Sequence, residues 1–231
     1  MRGKTSAGLI NLGDLRRLEP ISREWGFDRG LPVDRHYIER FLAAHATDIR
    51  GQVLEIGDDS YTRQFGTPAR ITRVDVLNFR AGDPKTTLVA DLADAAHIPS
   101  NTFDCIIFTQ TLQFIFNAGA ALQTIERILK PGGVVLATFP GISHIGDRQW
   151  SASWCWSFTR HCAGMLFGHA FPGGAVDVSA KGNVLASTAF LQGLSAQELT
   201  PAELDHVDPA YELVVMVRAQ KALLTDAGQM Q

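Results

Sequence analysis

Apolar positions along this chain recur with two different periods, and their alternation predicts the architecture. From Asp34, the spacing of Tyr37, Ile38, Phe41 and Leu42 gives one apolar face and predicts a helix ending near Gly51. Four short apolar runs follow: QVLEIG (52–57), RITRVDV (70–76), TTLVA (86–90) and FDCIIFTQ (103–110). Runs of this length read as buried parallel strands, and the last, the most apolar, is expected at the centre. A helix over 118–129 turns Ala121, Leu122, Ile125, Ile128 and Leu129 inward. Lys130-Pro131-Gly132-Gly133 is read as its stop, and VVLATFP (134–140) as the fifth strand. VDVSAKGN and ELVVMVRA (212–219) are read as two edge strands joined by a helix around 184–194. The fold class is therefore α/β, a doubly wound, mainly parallel, seven-stranded sheet with helices on both faces.

Turn residues crowd the beginning of the chain (Gly13, Pro20, Gly26, Gly30, Pro32), so residues 1–34 read as an arm. Residues 35–231 then form a single domain, with a lid inserted after the fifth strand at about 141–172. The arm is expected to cover the site or to pair with a second subunit, which leaves a homodimer open. Composition changes this picture little, since 231 residues with 45% hydrophobic and 19% charged positions suit one globular domain. A net charge of −3 provides no basic footprint for nucleic acid. No apolar run approaches the roughly 20 residues that span a bilayer, and the N-terminus lacks a signal-peptide core, so a cytoplasmic protein without membrane partners is expected. Cys105, Cys155 and Cys162 form an odd set without CxxC spacing and read as packing residues.

Ligands of open α/β sheets bind beyond the carboxyl ends of the strands. Here the first strand runs into Glu55-Ile56-Gly57-Asp58-Asp59-Ser60. A dinucleotide loop needs further glycines to cradle a pyrophosphate, yet Asp59 and Tyr61 stand at those places. Three carboxylates there would repel phosphate and favour a cation, so the loop argues for the sulfonium of S-adenosylmethionine and against NAD. The second strand is expected to end at Asp75, placed to accept hydrogen bonds from ribose hydroxyls. Asp91 and Leu92 follow the third strand, where they could face adenine.

VLEIG, Asp75, ADLADAAHIP, FDCIIFTQTLQFI and RILKPGGVVLATFPG resemble the class I, Rossmann-like S-adenosylmethionine-dependent methyltransferases, in the type 11-like group of small-molecule enzymes. The resemblance covers about residues 35–221 and is most specific in DCIIFTQTL and RILKPGG. It implies that Glu55 and Gly57 line the methionine portion, Asp75 the ribose, and Asp91 and Leu92 the adenine, and Asp58 in the same loop is read as a further cofactor contact. Thr109 and Gln110 would close over the cofactor. Two residues depart from the pattern: the loop is degenerate, and Gln113 stands where many members have histidine. RGLPVDRHYIERFLAAH, GDDSYTRQFG and LQGLSAQELTPAELD resemble actinobacterial methyltransferases of glycan assembly, the mannoside 1-O-methyltransferases of methylmannose polysaccharide synthesis being the nearest in style.

The acceptor side is sought in Gly141–Pro172. His144 is read either as the general base for an acceptor hydroxyl or as an exposed loop histidine. Trp150 and Trp154, with Trp156 nearby, suit the apolar faces of a sugar or flat ring, or else anchor the lid to the core. Tyr37 is a further candidate acceptor contact. Asp147 near His144 permits Mg²⁺ bridging acceptor hydroxyls, with ligands left unassigned. His161 and His169 are read as structural, on a helix packing back onto the sheet. The readings that compete are an O-methyltransferase of a small polyhydroxylated acceptor such as a saccharide, an N- or C-methyltransferase, and a non-catalytic binding module.

Overall fold

A computed structural model of the chain describes residues 11–223. Five parallel strands form its frame: β1 (Gly51–Ile56), β2 (Ile71–Asn78), β3 (Leu88–Val89), β4 (Phe103–Thr109) and β5 (Leu129–Pro140). β6 (Ala175–Lys181) and β7 (Val214–Gln220) complete a seven-stranded sheet of order β3-β2-β1-β4-β5-β7-β6. Strand order reverses between β1 and β4, so the carboxyl ends of these two strands frame the crevice expected to take a ligand.

Alternate residues of each central strand feed opposite cores. Leu54, Ile106, Phe108, Val135, Phe139 and Val217 lie in one core with residues of α3 (Ala118–Ile128) and α5 (Arg160–Ala170). Val53, Cys105, Ile107, Leu136 and Met216 lie in the other, with residues of α1 (Val33–Ala44) and α6 (Val184–Leu191). Because both faces are covered, β4 is buried without a break from Cys105 to Phe108 rather than alternating. The helices start where the chain offers caps: Asn117, Thr159 and Asn183 accept backbone N–H groups of Ala120, Cys162 and Ala186.

Several expectations are corrected. ELVVMVRA does not make an edge strand: β7 lies between β5 and β6, antiparallel to both, which explains its near-continuous burial. Lys130-Pro131-Gly132-Gly133 does not separate helix from strand, because β5 begins at Leu129 and absorbs the segment across a shift in its pairing with β4. β2 runs three residues past Asp75 to Asn78. Cys155 and Cys162 are exposed rather than packed. Within 141–172, α5 packs against α3 and β6. Among the described residues no helix is long and apolar enough to cross a membrane.

The described part of the arm is seated against the segment after α6. Ile21 and Ser22 donate backbone N–H groups to Gln192 O (2.9 and 3.0 Å), and Ala196 donates to Leu31 O (2.7 Å). Arg29 pairs with Glu198, holding that carboxyl at a pKa of about 2.

Candidate functional site

Gly57 ends β1 with φ +98, a left-handed conformation that L side chains rarely adopt. A Cβ added there would meet nothing within 4 Å, so the backbone offers an open face toward the crevice. Its N–H donates to Leu77 O (3.0 Å) and its carbonyl accepts from Asn78 Nδ2 (3.0 Å). The residue that ends β2 beside Gly57 is thus Asn78.

Asp75 lies deeper, and its oxygens are occupied. Gln52 Nε2 (2.9 Å), Arg73 Nη2 (2.8 Å) and Thr87 Oγ1 (3.0 Å) all donate to it. Burial alone would raise its pKa, but these hydrogen bonds outweigh burial and hold the carboxyl below the usual range. A run of apolar residues past Asp75 is what a strand continuing to Asn78 requires, and the sequence carries that signal in Val76 and Leu77.

The three carboxylates of the loop do not act as one negative pocket. Glu55 turns inward and holds the start of α2 (Ser60–Phe65), accepting Tyr61 N (3.0 Å), Thr62 N (2.7 Å) and Thr62 Oγ1 (2.6 Å). Burial raises its pKa despite these bonds. Asp59 is neutralised by Lys85 (2.9 Å) and by Arg63, and its pKa falls, chiefly through Lys85. Asp58 remains exposed, accepting Ser60 N (2.7 Å). Both cations lie in the sequence, but 4 and 26 residues away from Asp59, so local reading saw only the acids. Asp91 is exposed and accepts Ala93 N (2.9 Å), while Leu92 is buried in the core, so of this pair only the aspartate side chain is free to face solvent.

Beyond β4 and β5 opens a pocket of about 190 Å³. Gln110, Gln113, Trp150 and Trp154 line it, and so do Trp25, Phe27, Asp34 and Arg35 from the arm and the first turn of α1. The last four were not anticipated as site residues, because nothing local in the arm marks which face it turns inward. Gln110 has φ +46, rare for a residue with a side chain, and its N–H is tied to Thr138 O (2.8 Å). Thr109 ends β4, and its carbonyl accepts the hydroxyl of Thr111 (2.9 Å). Asp34 is 8% exposed, accepting Arg35 N (2.7 Å) and Arg35 Nη1 (2.8 Å). Burial raises its pKa against the pull of Arg35 and His144.

His144 is not among the lining residues: its ring stacks on Trp25, with centroids 4.7 Å apart, and Nδ1 accepts Gly146 N (3.2 Å). Burial lowers its pKa. Trp150 and Trp154 pack on Phe114 at 5.4 and 5.3 Å, whereas Trp156 stacks outside on Phe116. Tyr37 is buried in the core shared with α6 and β7, its hydroxyl donating to Leu204 O (2.9 Å), and it does not line this pocket. Asp147 opens the short helix α4 (Arg148–Ser151), its carboxylate accepting Trp150 N (3.3 Å). Among the described residues no group of three His, Cys, Asp or Glu side chains is placed to hold a metal ion.

Residues 44–137 match the family described as "Methyltransferase domain". The ubiquinone/menaquinone biosynthesis C-methyltransferase UbiE of Haemophilus ducreyi is 32% identical over 91 residues, 38% of this chain. That stretch spans 28% of the relative's length. Among solved structures, the [4+2]-cyclase SpnF is similar with a TM-score of 0.55 at 15% identity, covering 84% of each chain. The N-methyltransferase NodS from Bradyrhizobium japonicum, in complex with S-adenosyl-L-homocysteine, is similar with a TM-score of 0.53 at 12% identity, over 84% of this chain and 89% of that one.

Proposed function

We propose that this chain, in which residues 44–137 match a methyltransferase domain, transfers the methyl group of S-adenosylmethionine to a hydroxyl of a small neutral acceptor, with a saccharide as the best fit. The observation that carries the proposal is the juxtaposition of two features at one sheet edge. One is the open, left-handed Gly57 turn; the other is the aromatic-walled pocket beside Gln110. The turn fits the cofactor because a side chain at Gly57 would fill the space its adenosyl and methionine parts need. Asp58, Asn78 and Asp91 would hold it, Asn78 reaching the ribose in place of the more deeply engaged Asp75. When bound, the cofactor supplies an electrophilic methyl on a positive sulfur.

The chain's own residues then bind, orient and accept a proton. Trp25, Trp150 and Trp154 would fix the acceptor between flat walls, and orientation of this kind supplies much of the acceleration in a displacement reaction. Asp34 is the carboxylate that faces the pocket, and its raised pKa makes it the stronger candidate to take the hydroxyl proton. His144 supports it indirectly, through Trp25. A carbon or nitrogen acceptor is the second reading, favoured by the activities named for UbiE and NodS.

Calorimetry should show S-adenosylhomocysteine binding while NAD does not bind, and Asn78→Ala should weaken that binding about tenfold, the worth of one buried polar contact. Incubation with cofactor and methyl α-D-mannoside should add 14 mass units, about one methylene, to the glycoside. Absence of homocysteine-ligand binding sinks the assignment, and methylation of amines alone would favour the second reading. The pH profile tests the base. The deprotonated carboxylate is the active form, so kcat/KM should rise through a pH above the ordinary carboxylate range. Asp34→Asn should flatten that limb and lower kcat by about a hundredfold. His144→Ala should leave the limb in place; a limb that moves with His144 instead returns the base role to the histidine.

A further inference from the structure

Three buried polar atoms that line the acceptor pocket have no hydrogen-bond partner: Gln110 Nε2, Gln113 Oε1 and Trp154 Nε1. Buried orphans of this kind are uncommon, and each costs free energy unless something satisfies it. Their polarity is fixed by their surroundings. Gln113 is 2% exposed, and its Nε2 donates to Gln110 O (3.0 Å). A carbonyl can only accept, so the Gln113 amide cannot be flipped, and Oε1 is left as an unpartnered acceptor in the pocket wall. Indole nitrogen can only donate. Gln110 is locked in its left-handed conformation by the bond to Thr138 O, which aims its side chain from a rigid base.

We infer that these atoms read the acceptor: Gln113 Oε1 takes a hydrogen bond from one acceptor hydroxyl, while Gln110 Nε2 and Trp154 Nε1 donate to oxygens of the same molecule. The occupant that satisfies one acceptor and two donors between aromatic walls is an uncharged polyol ring. Apolar faces lie against Trp25 and Trp150, and hydroxyls point at the amides. Charge is disfavoured because the one carboxylate in the wall, Asp34, is already matched by Arg35 (2.8 Å), leaving no counter-ion for an acidic or basic sugar. This deepens the proposed methyl transfer and rests on it for the identity of the reaction, but the recognition itself does not require turnover. Gln113 and Trp154 are thereby specificity residues, held in place from below by Gln113 O, which accepts Cys155 N (2.8 Å) and Trp156 N (3.2 Å) and so pins the lid over the pocket.

Saturation-transfer NMR on the full chain, with methyl α-D-mannoside, myo-inositol, glucuronate and glucosamine as probes, tests the inference without turnover. The two neutral probes should bind and the two charged ones should not. Trp154→Phe, which keeps the ring and removes the N–H, and Gln113→Leu should each weaken neutral binding about tenfold. Calorimetry on the same samples should find S-adenosylhomocysteine binding unchanged in both variants. The inference is overturned if neither polyol binds at tens of millimolar, if the charged sugars bind as tightly, or if the variants leave polyol affinity intact. It is also overturned if they weaken only the homocysteine ligand, which would assign the atoms to the cofactor. Polyol binding that tracks the variants in a protein with no affinity for S-adenosylhomocysteine would instead sink the methyl-transfer reading and leave the recognition standing.

Discussion

Replacing Glu55 by alanine is expected to destabilise the protein by about 3 kcal/mol and to abolish binding of S-adenosylhomocysteine. The carboxylate is buried at the end of β1 and accepts three hydrogen bonds from the first turn of α2. Alanine leaves the N–H groups of Tyr61 and Thr62 without partners, and each such loss costs about 1–3 kcal/mol. Burial of the charge offsets part of this, because the raised pKa means that the folded state holds the anion at some cost. The sign is testable. A group whose folded pKa exceeds its unfolded value binds protons more readily when folded, so its penalty is present at neutral pH and relieved as pH falls through the raised value. Glu55→Gln should therefore cost less than alanine. Denaturant unfolding measures both, and a loss below about 1 kcal/mol for alanine would mean that the loop does not depend on this cap.

Gly193→Ala is expected to free the arm while the sheet stays folded. Gly193 has φ +71, and a Cβ there would stand 2.2 Å from Ser22 O, a backbone atom that cannot swing aside. The left-handed conformation adds about 1–2 kcal/mol of strain for any other residue. Relief requires Ser22 to move away, which breaks the bonds that Ile21 and Ser22 make to the neighbouring Gln192 O. Trp25 then leaves its stack on His144, and the pocket loses a wall. Amide exchange over residues 21–31 should accelerate more than tenfold, acceptor KM should rise by a similar factor, and protection in β1, β4 and β5 should persist. If exchange in the central strands rises equally, the arm is part of the cooperative core and not a separable cover.

The frame was legible in the chain because burial on both faces leaves unbroken apolar runs. VLEI, CIIF and VVLATF mark β1, β4 and β5 without reference to anything distant. Placement of β7 was not legible: an apolar run says that a strand is covered, not which neighbours it pairs with, and only the antiparallel registers with β5 and β6 decide that. The positions of Gly57 and Gln110, just past the ends of β1 and β4, are legible because local pattern marks strand ends. Asp75 was misplaced because an acidic residue in an apolar strand resembles a strand end until its partners Gln52, Arg73 and Thr87 are seen. Lys85 beside Asp59, Leu204 above Tyr37 and Trp25 against His144 are pairings made by tertiary folding, and no spacing in the sequence encodes them.

The insertion of β7 between β5 and β6 also constrains how the protein can be made. While a ribosome has translated only as far as residue 213, β5 carries an unpaired margin of amide and carbonyl groups and β6 has no strand to join. Such a margin is adhesive toward other nascent chains. Pairing of Val214–Gln220 covers that margin and gives β6 its partner in one step, leaving β3 and β6 as the edges of the sheet.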